Sequence, residues 1–398
     1  MKVEIQKSKL KGTIVAPPSK SLAHRLLICA ALAGESTVCN LAFSEDILAT
    51  LDCLKALGFS CAIKDNAATF KGREKISNPV LNCRESASTL RFFIPLCSVL
   101  AEEATLTGTK KLLSRPLSVY EKIFAEQKLF FHNDGAEVKI QGRLGSGVYA
   151  VPGDVSSQFV SGLLFALPLL EKDSTLTLIP PVESRSYIKL TLEALATFGV
   201  EIKTPDENTF FIPGSQKYHS RNVEVEGDYS NSAFFAALKA LGHEIEIQGL
   251  NNKSSQGDKA YETLLPLLEK GKPKIDLSDC PDLGPVLFAL AAAKNGAIFT
   301  GTRRLRIKES DRAEAMAQEL RKFGVKVEVQ VDSVAIDSRG FSAPKEELNS
   351  HNDHRIAMAL SVLATETGGV INGAEAVAKS FPDFFDRIIA LNAKVINQ

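Results

Sequence analysis

Two features that would point to charged or lipid partners are missing from this sequence: a net charge and a long apolar run. The 47 lysines and arginines equal the 47 aspartates and glutamates in number, so no whole-molecule field favours nucleic acid or a membrane surface. No stretch reaches the uninterrupted apolar length of a membrane span, and residues 1–12 lack the apolar centre of a signal peptide. We therefore expect a cytoplasmic protein that binds neither nucleic acid nor a membrane.

Paired cysteines and clustered metal ligands are missing as well. None of the seven cysteines forms a Cys-x-x-Cys pair, and most lie among apolar neighbours, as small core residues do. His351 and His354 lie close together, but no further group of histidines and cysteines completes a coordination shell. The sequence therefore predicts a protein of a reducing compartment, without disulfides and without a metal site.

What is present is a globular composition with an internal repeat. At 398 residues the chain exceeds what one hydrophobic core usually serves. A pattern of Ala/Leu-rich helix, small or acidic turn and short β-prone run returns around Val38, Leu106, Leu176, Ile245, Ile298 and Val370. The steps are roughly 70 residues, except for one of roughly 50, and such self-similarity indicates a duplicated unit. We predict six α/β units, three in each of two lobes, with the site between the lobes.

Polar or basic residues stand immediately before apolar helices at several places. In residues 16–34, Ser19 begins an Ala/Leu helix, with Lys20, Ser21 and Arg25 close to its start. A helix N-terminus offers free N–H groups and the positive end of the helix dipole, so a hydroxyl and two cations there favour a phosphate or a carboxylate. Taken alone, the segment is equally well an ordinary capped helix with solvated basic residues.

Other helix starts of the first half have the same shape. Residues 83–96 lead from small polar residues into an apolar helix that contains Arg91. Arg115 precedes Pro116 at a predicted strand-to-helix turn, from which a guanidinium can bind a carboxylate through two hydrogen bonds. Two further starts contain Ser156, Ser157 and Gln158, and Ser184 with Tyr187. Each is by itself an ordinary cap, but their repetition favours an anion-binding cleft.

The second half of the sequence also contains acidic residues before apolar helices. Asp282 lies beside a proline before a nearly charge-free helix, and is either an N-cap or a general base. Residues 304–316 place several charges before another helix, and by composition alone a solvated charged face explains them. The last two polar helix starts contain Asp353 with Arg355, and Lys379.

Across these segments the chain resembles the EPSP synthases, the 3-phosphoshikimate 1-carboxyvinyltransferases of the shikimate pathway, over essentially its whole length. The motifs of that family follow in order: SKS-xxx-R, STLR, RP, SSQF, PD, RIKESDR, NDHR and KSFPDFF. The resemblance implies an α/β fold, a two-lobed inverse α/β barrel with three βαβαββ units in each lobe. Residues 17–225 would form one lobe and residues 1–16 with 226–398 the other, with the active site in the cleft between them.

The resemblance also implies an activity. The enolpyruvyl group of phosphoenolpyruvate would pass to the 5-hydroxyl of shikimate 3-phosphate by addition and elimination, without cofactor or metal, in a monomer of aromatic amino-acid biosynthesis. The residues implied to bind shikimate 3-phosphate are Lys20, Ser21, Arg25, Ser156, Ser157, Gln158, Ser184, Asp282 and Lys308. Those implied to bind phosphoenolpyruvate are Lys20, Ala87, Arg115, Gln158, Arg312, Arg355 and Lys379.

The same resemblance implies that three residues carry out proton transfer. Asp282 would accept the proton of the attacking hydroxyl, and Glu309, aided by Lys308, would protonate the methylene carbon of phosphoenolpyruvate. Addition to C2 gives a tetrahedral intermediate that expels phosphate, so such a site needs cations, a base and an acid.

Two positions depart from the family pattern. Ala87 stands where that pattern has a glycine lining the phosphoenolpyruvate pocket, and its methyl group predicts reduced sensitivity to glyphosate, a ligand longer than the substrate. Arg304 stands where the family often has an asparagine that contacts the shikimate phosphate.

Two other functions are compatible with the same basic residues. One is the sister enzyme that transfers enolpyruvyl to UDP-N-acetylglucosamine, which usually has a cysteine acid in a mobile loop; the loop around Arg115 has none. The other is a non-catalytic protein that binds phosphorylated metabolites, against which the presence of Asp282 and Glu309 argues.

Overall fold

Helices and strands alternate along the computed structural model, which describes residues 1–397. The helices are α1 (Lys20–Ala33), α2 (Glu45–Ala56), α3 (Ala87–Leu100), α4 (Lys110–Leu113), α5 (Ser118–Glu126), α6 (Ser157–Ala166), α7 (Arg185–Thr197), α8 (Tyr229–Ala240), α9 (Tyr261–Lys270), α10 (Gly284–Ala293), α11 (Arg312–Lys322), α12 (His354–Thr367) and α13 (Phe384–Ala390). Short 3-10 helices occupy Leu167–Leu169, Gly257–Ala260, Pro281–Leu283, Arg303–Ile307 and Ala374–Lys379.

The strands are short and form several small sheets. They are β1 (Lys2–Gln6), β2 (Lys11–Val15), β3 (Ser36–Cys39), β4 (Phe59–Lys64), β5 (Ala67–Arg73), β6 (Val80–Asn82), β7 (Glu103–Thr107), β8 (Phe130–Asn133), β9 (Glu137–Gln141), β10 (Val148–Pro152) and β11 (Ser174–Ile179). The remaining strands are β12 (Lys203–Asp206), β13 (Thr209–Ile212), β14 (Asn222–Glu224), β15 (Glu244–Gln248), β16 (Lys274–Asp276), β17 (Ala297–Thr300), β18 (Lys326–Val329), β19 (Ser333–Asp337), β20 (Leu348–Asn349), β21 (Gly369–Asn372) and β22 (Lys394–Asn397).

Five of the sheets repeat one topology, a parallel pair followed by two antiparallel strands. Their orders are β14-β3-β5-β4, β6-β7-β9-β8, β10-β11-β13-β12, β16-β17-β19-β18 and β20-β21-β1-β22. In one of them Leu81 lies opposite Leu106 in the parallel pair, and Leu106 lies opposite Val138 in the antiparallel pair. These three side chains are buried because alternate residues of a strand point to the same face.

The sixth sheet is shorter. It contains only β2 and β15, paired in parallel, with Ile14 opposite Ile247. This repeat therefore lacks the two antiparallel strands, which explains why the spacing of the sequence pattern shortens at the segment that contains Ile245. The α/β class that the sequence predicts is confirmed.

The chain divides into two compact units. The terminal unit contains Met1–Pro17 and the segment from Gly227 onward, and the middle unit is Pro18–Glu226. Each has its own buried core. The expected position of a site between two lobes stays a prediction.

In the middle unit, α3 and α6 pack closely at a glycine. A Cβ atom at Gly162 would lie 2.5 Å from the hydroxyl of Tyr120 and 2.6 Å from the carbonyl oxygen of Arg91. Only a residue without a side chain fits between these groups. Because of this contact, the start of α6 lies beside the helix that contains Arg91.

The central helices of the terminal unit are α8, α10 and α12. Every residue of α10 from Gly284 to Ala292 is buried, and α12 is buried from His354 to Thr365. Helix α10 is apolar on all sides because it lies inside the core rather than on its surface. Within residues 1–397, no helix has both the length and the apolar character that crossing a membrane requires.

Candidate active site

The predicted site residue Lys20 begins α1 in the middle unit. Ser19 precedes it as the helix N-cap, and its hydroxyl accepts a hydrogen bond from the backbone N–H of Leu22 at 3.4 Å. The Lys20 ammonium lies 2.6 Å from a carboxylate oxygen of Asp46, and the two side chains are 15% and 14% exposed. The helix start expected from the sequence is confirmed, and Asp46 is a partner that sequence reasoning missed.

Arg25 is a buried residue one helical turn beyond Ser21. Its Nε donates to the Thr191 hydroxyl at 2.8 Å, and its two terminal nitrogens donate to the carbonyl oxygens of Ser21 at 2.5 Å and Tyr187 at 3.1 Å. Burial lowers the pKa of Arg25 to about 10, which leaves the group charged at neutral pH. The guanidinium therefore joins α1 to α7 through neutral oxygens, without a carboxylate among these three partners.

The residue that precedes α7 has an unusual backbone. Ser184 is 1% exposed and adopts φ +56, in the left-handed region that non-glycine residues rarely occupy. Its side chain makes no capping hydrogen bond to α7, so the interpretation of this segment as an ordinary capped helix is wrong. Sparsely populated backbone conformations of this kind occur often at functional sites.

A third group of contacts fixes the amide of Gln158. Arg91 donates to its Oε1 at 2.7 Å, and its Nε2 donates to the Ser88 hydroxyl at 2.9 Å. The other end of the Arg91 guanidinium donates to the carbonyl oxygen of Pro116 at 3.1 Å. Arg91 therefore joins α3, the start of α6 and the turn after Arg115, a role that the sequence did not reveal although the STLR motif contains it.

The remaining predicted residues of the middle unit lie at the same helix starts. Ser156 caps α6 by accepting from the backbone N–H of Gln158 at 3.3 Å, and Ser157 is buried beside it. Ala87 is the first residue of α3 and is 7% exposed. Arg115 is buried between α4 and α5, so the predicted strand-to-helix turn is wrong: a helical turn, Lys110–Leu113, precedes it.

The terminal unit contains a denser cluster around Arg312, which is 1% exposed. Its guanidinium contacts Asp282 at 2.8 Å, Glu309 at 2.6 Å and Asp353 at 2.9 Å. Burial lowers the pKa of Arg312, but the charges of Asp353, Glu309 and Asp282 outweigh it and raise the pKa above its ordinary value. We call Asp282, Lys308, Glu309, Arg312, Asp353 and Arg355 the carboxylate–arginine cluster.

Asp282 accepts from three cations in this cluster. They are Arg312 at 2.8 Å, Arg355 at 3.1 Å and Lys308 at 3.2 Å. Leu283 is the residue that precedes α10, so Asp282 is not its N-cap, the first of the two roles that its position suggested. Opposite charges at this distance favour the ionised carboxylate.

Lys308 follows the short helix Arg303–Ile307, in which Arg304 is also buried. Burial lowers the pKa of Lys308, the Asp282 carboxylate raises it, and the charges of Arg304 and Arg312 lower it; the net result is a pKa below the ordinary lysine value. A lysine of this kind gives up a proton more readily than one in water.

Asp353 is fully buried at the start of α12. It accepts from the backbone N–H of Arg355 at 2.9 Å and from the Ser310 hydroxyl at 3.0 Å, in addition to Arg312. The preceding residue, Asn352, accepts from the Lys379 ammonium at 2.7 Å through its carbonyl oxygen. The NDHR motif signals both residues, but their partners lie far away in the sequence.

Asp258 is a further acidic residue of the terminal unit that the sequence did not single out. It is 3% exposed and accepts a hydrogen bond from the Ser230 hydroxyl. Burial and the Asp282 charge raise its pKa to about 7, against the charges of Arg355 and Lys308. Among residues 1–397, no group of three or more histidines, cysteines, aspartates or glutamates is arranged to hold a metal ion.

With this geometry established, comparison with known proteins identifies the family. The sequence profile described as EPSP synthase (3-phosphoshikimate 1-carboxyvinyltransferase) matches residues 5–388. The chain belongs to the EPSP synthase family. The family recognised from the sequence motifs is therefore confirmed.

Curated relatives of this EPSP synthase family member carry the same description. The 3-phosphoshikimate 1-carboxyvinyltransferase of Clostridium kluyveri is 42% identical, with 99% of this chain and 98% of the relative covered. The protein of that name from a Clostridium perfringens strain is 40% identical, with 97% of each chain covered.

Solved structures agree in fold. EPSP synthase from Acinetobacter baumannii matches with a TM-score of 0.79 at 24% identity, over the whole of both chains. The enolpyruvyl transferase NikO from Streptomyces tendae matches with the same TM-score at 15% identity, over 100% of this chain and 98% of that one. These matches confirm the enolpyruvyl transferase-like α/β fold.

Proposed function

We propose that this chain transfers the enolpyruvyl group of phosphoenolpyruvate to the 5-hydroxyl of shikimate 3-phosphate and releases phosphate. Membership of the EPSP synthase family supports the reaction. The structural observation that carries it is the carboxylate–arginine cluster, in which Asp282 accepts from three cations. Opposite charges at these distances favour the ionised carboxylate, which is the form that accepts a proton.

In the addition step, the 5-hydroxyl oxygen forms a bond to C2 of phosphoenolpyruvate. Asp282 takes the hydroxyl proton, and C3 receives a proton from Glu309, aided by Lys308. The lowered pKa of Lys308 supports its part in proton donation, because an ammonium of ordinary pKa is a weak acid at neutral pH. The product of this step is a tetrahedral intermediate that still carries phosphate at C2.

In the elimination step, the bond between C2 and the phosphate oxygen breaks. A proton leaves the C3 methyl group, the double bond between C2 and C3 forms again, and phosphate is released. We propose that Glu309 accepts this proton, one of the three now on the methyl group, so that the same carboxyl group donates a proton in the first step and accepts one in the second. The proton that Asp282 took from the hydroxyl passes to the departing phosphate, so both carboxyl groups return to their starting states. Atoms and charges then balance without a metal or an organic cofactor.

Substrate binding is assigned to residues of both units. We propose that shikimate 3-phosphate is bound by Lys20, Ser21, Arg25, Ser156, Ser157, Gln158, Ser184, Asp282 and Lys308. We propose that phosphoenolpyruvate is bound by Lys20, Ala87, Arg115, Gln158, Arg312, Arg355 and Lys379. Helix starts, buried guanidinium groups and serine hydroxyls support these assignments, because such groups bind phosphate and carboxylate well. We further propose that the protein acts as a monomer in the cytoplasm.

Phosphate release tests the reaction directly. The purified protein is mixed with shikimate 3-phosphate and phosphoenolpyruvate in the presence of a chelator, and each substrate is omitted in turn. We expect release only when both are present, and a product with the mass of 5-enolpyruvylshikimate 3-phosphate.

A parallel reaction replaces shikimate 3-phosphate by UDP-N-acetylglucosamine. Turnover of the UDP-sugar in place of shikimate 3-phosphate would assign the sister reaction. Binding of phosphoenolpyruvate and shikimate 3-phosphate without turnover, in a folded protein, would assign a non-catalytic binding function instead.

A further inference from the structure

The turn that precedes α12 has a strained backbone. Its residues 349–353 include His351 with φ +52 and Asn352 with φ +54, two consecutive non-glycine residues in the left-handed region. Non-glycine residues seldom occupy this region, although asparagine and histidine tolerate it better than most, and contacts from the surrounding structure help to hold two of them in succession. The contacts that fix this turn therefore determine where its polar groups lie.

Glu319 of α11 provides two of those contacts. It is 1% exposed, and its carboxylate accepts from Nε2 of His351 at 2.8 Å and from the backbone N–H of Asn349 at 2.9 Å. Burial raises the pKa of Glu319, but hydrogen bonds from His351, Lys322 and Asn349 outweigh it and lower the pKa. The carboxylate therefore stays ionised and accepts from the first residue of the turn, Asn349, and from the first residue of the strained pair, His351.

Ser350 fixes the middle of the turn. It is fully buried, and its backbone N–H donates to the carbonyl oxygen of Asn372 at 3.0 Å. Its hydroxyl accepts from the backbone N–H of Asn352 at 3.2 Å, and its carbonyl oxygen accepts from that of Asp353 at 2.9 Å. A Cβ atom at Gly373 would lie 2.5 Å from the Ser350 hydroxyl, so glycine is needed there for this close packing.

The turn presents two consecutive acceptors to two cations. The carbonyl oxygen of Asn352 accepts from Lys379 at 2.7 Å, and the carboxylate of Asp353 accepts from Nε of Arg312 at 2.9 Å. Both cations are assigned to phosphoenolpyruvate in the proposed function. A change in the path of the turn would move the acceptors of both cations at the same time.

We propose that Glu319 is a positioning residue for phosphoenolpyruvate binding, because it fixes the strained turn that orients Lys379 and Arg312. The role of those two cations rests on the proposed function; the effect of Glu319 on the turn does not. Glu319 acts through Asn349 and His351, so its loss should weaken phosphoenolpyruvate binding and leave shikimate 3-phosphate binding unchanged.

The test variant is Glu319→Gln. Its amide oxygen can still accept from the Asn349 N–H, but its NH2 group then faces Nε2 of His351. The charged acceptor is therefore removed, and the bond to His351 is broken or reversed, at nearly constant volume. The control is Lys322→Met. It removes the ion pair to the same carboxylate, at 2.8 Å, and the bond to the carbonyl oxygen of Glu347, at 2.9 Å, but leaves both bonds from Glu319 to the turn. Circular dichroism and melting curves establish that both variants fold.

The first measurement is amide hydrogen exchange of residues 349–355 without any ligand. We expect faster exchange at Asn352 and Asp353 in Glu319→Gln than in the wild type, and wild-type rates in Lys322→Met. Equal exchange rates in all three proteins would overturn the proposed effect on the turn.

The second measurement combines steady-state kinetics for phosphoenolpyruvate with calorimetric titration of shikimate 3-phosphate alone. The KM of phosphoenolpyruvate at saturating shikimate 3-phosphate should rise roughly tenfold in Glu319→Gln, because small misplacements of binding groups are costly. Shikimate 3-phosphate alone should bind all three proteins within about twofold. Equal weakening of both substrates, or an unchanged KM of phosphoenolpyruvate, would contradict the positioning role.

A rescue variant separates positioning from general damage. Asn352→Gly keeps the carbonyl oxygen that binds Lys379, and glycine adopts φ +54 without strain. In the double variant, part of the lost phosphoenolpyruvate affinity should return; no recovery would argue against strain as the link. Failure of the wild type to bind phosphoenolpyruvate would instead contradict the proposed function, while hydrogen exchange would still decide the role of Glu319.

Discussion

The candidate residues of the two units differ in what their cations contact. In the middle unit, Arg25 donates to the Thr191 hydroxyl and to the carbonyl oxygens of Ser21 and Tyr187, all of them neutral, whereas Lys20 pairs with the carboxylate of Asp46. In the terminal unit, Arg312 contacts three carboxylates and Asp282 contacts three cations. A cation among neutral oxygens keeps its full charge for an anion, whereas paired carboxylates and cations provide proton acceptors and donors. We therefore propose that anion binding falls chiefly to the first set and proton transfer to the second.

The largest expected effect comes from Asp282→Asn. The amide cannot accept the hydroxyl proton, so we expect kcat to fall by roughly 10³-fold, within the range for loss of a general base. The affinity for shikimate 3-phosphate should stay within about threefold, because the base acts mainly in the transition state. Steady-state kinetics and calorimetry measure the two quantities. Equal losses of turnover and affinity would contradict the assignment of proton transfer, rather than substrate binding, to Asp282.

The next effect concerns Arg25→Lys in the middle unit. Lysine keeps the charge but cannot donate to Thr191, Ser21 and Tyr187 together, so shikimate 3-phosphate should bind roughly 10- to 100-fold more weakly. The value of kcat at saturating substrate should change much less. The control is Arg73→Lys, since Arg73 also donates to two carbonyl oxygens. An equal loss of affinity in the control would show that the effect reflects the fold rather than the site.

A smaller effect is expected at Ala87, the first residue of α3. Its methyl group should exclude a ligand longer than phosphoenolpyruvate, so Ala87→Gly should lower the inhibition constant of glyphosate roughly tenfold, as expected for relief of a steric overlap. The KM of phosphoenolpyruvate should change less than the inhibition constant. Potent inhibition of the wild type by glyphosate, in competition with phosphoenolpyruvate, would show that Ala87 does not have this effect.

The smallest effect is on stability and involves Asp258. Its pKa is raised from 3.8 to about 7, so the folded state binds its proton more tightly than the unfolded chain does. The proton on Asp258 therefore contributes its whole stabilisation of the folded state below about pH 4, and this contribution is lost as the pH rises to about 7. Asp258→Asn should therefore flatten the fall in Tm between pH 5 and pH 8. Parallel Tm curves for the two proteins would contradict the raised pKa.

Much of the fold was predictable because the signals are local. Ser19 and Ser86 cap the helices that the sequence pattern places after them, and the shortened spacing near Ile245 corresponds to the two-stranded sheet. The turn at Arg115 was not predictable in the same way, because Lys110–Leu113 is a single helical turn, too short to show a periodic pattern.

The sequence motifs point to the residues of the candidate site, but they do not show which of those residues contact one another. A solvated charged face explains Arg306, which is exposed, but not Arg312, which is 1% exposed. The contact of Arg312 with Asp353 spans 41 positions, and that of Arg355 with Asp282 spans 73, so no local spacing indicates either. Glu319 is one of several charged residues on α11, and only its buried contacts distinguish it.

The most direct test of the division between the two units is turnover in D2O, with deuterium in the vinyl product measured by mass spectrometry. If the carboxylate–arginine cluster adds and removes a proton at C3, the wild type should place deuterium in the methylene group. Glu309→Gln should slow both turnover and incorporation, whereas Arg25→Lys should weaken shikimate 3-phosphate binding without changing the deuterium content per product. A wild-type product without deuterium would contradict addition and elimination through C3, and an unchanged rate in Glu309→Gln would contradict the role of the cluster.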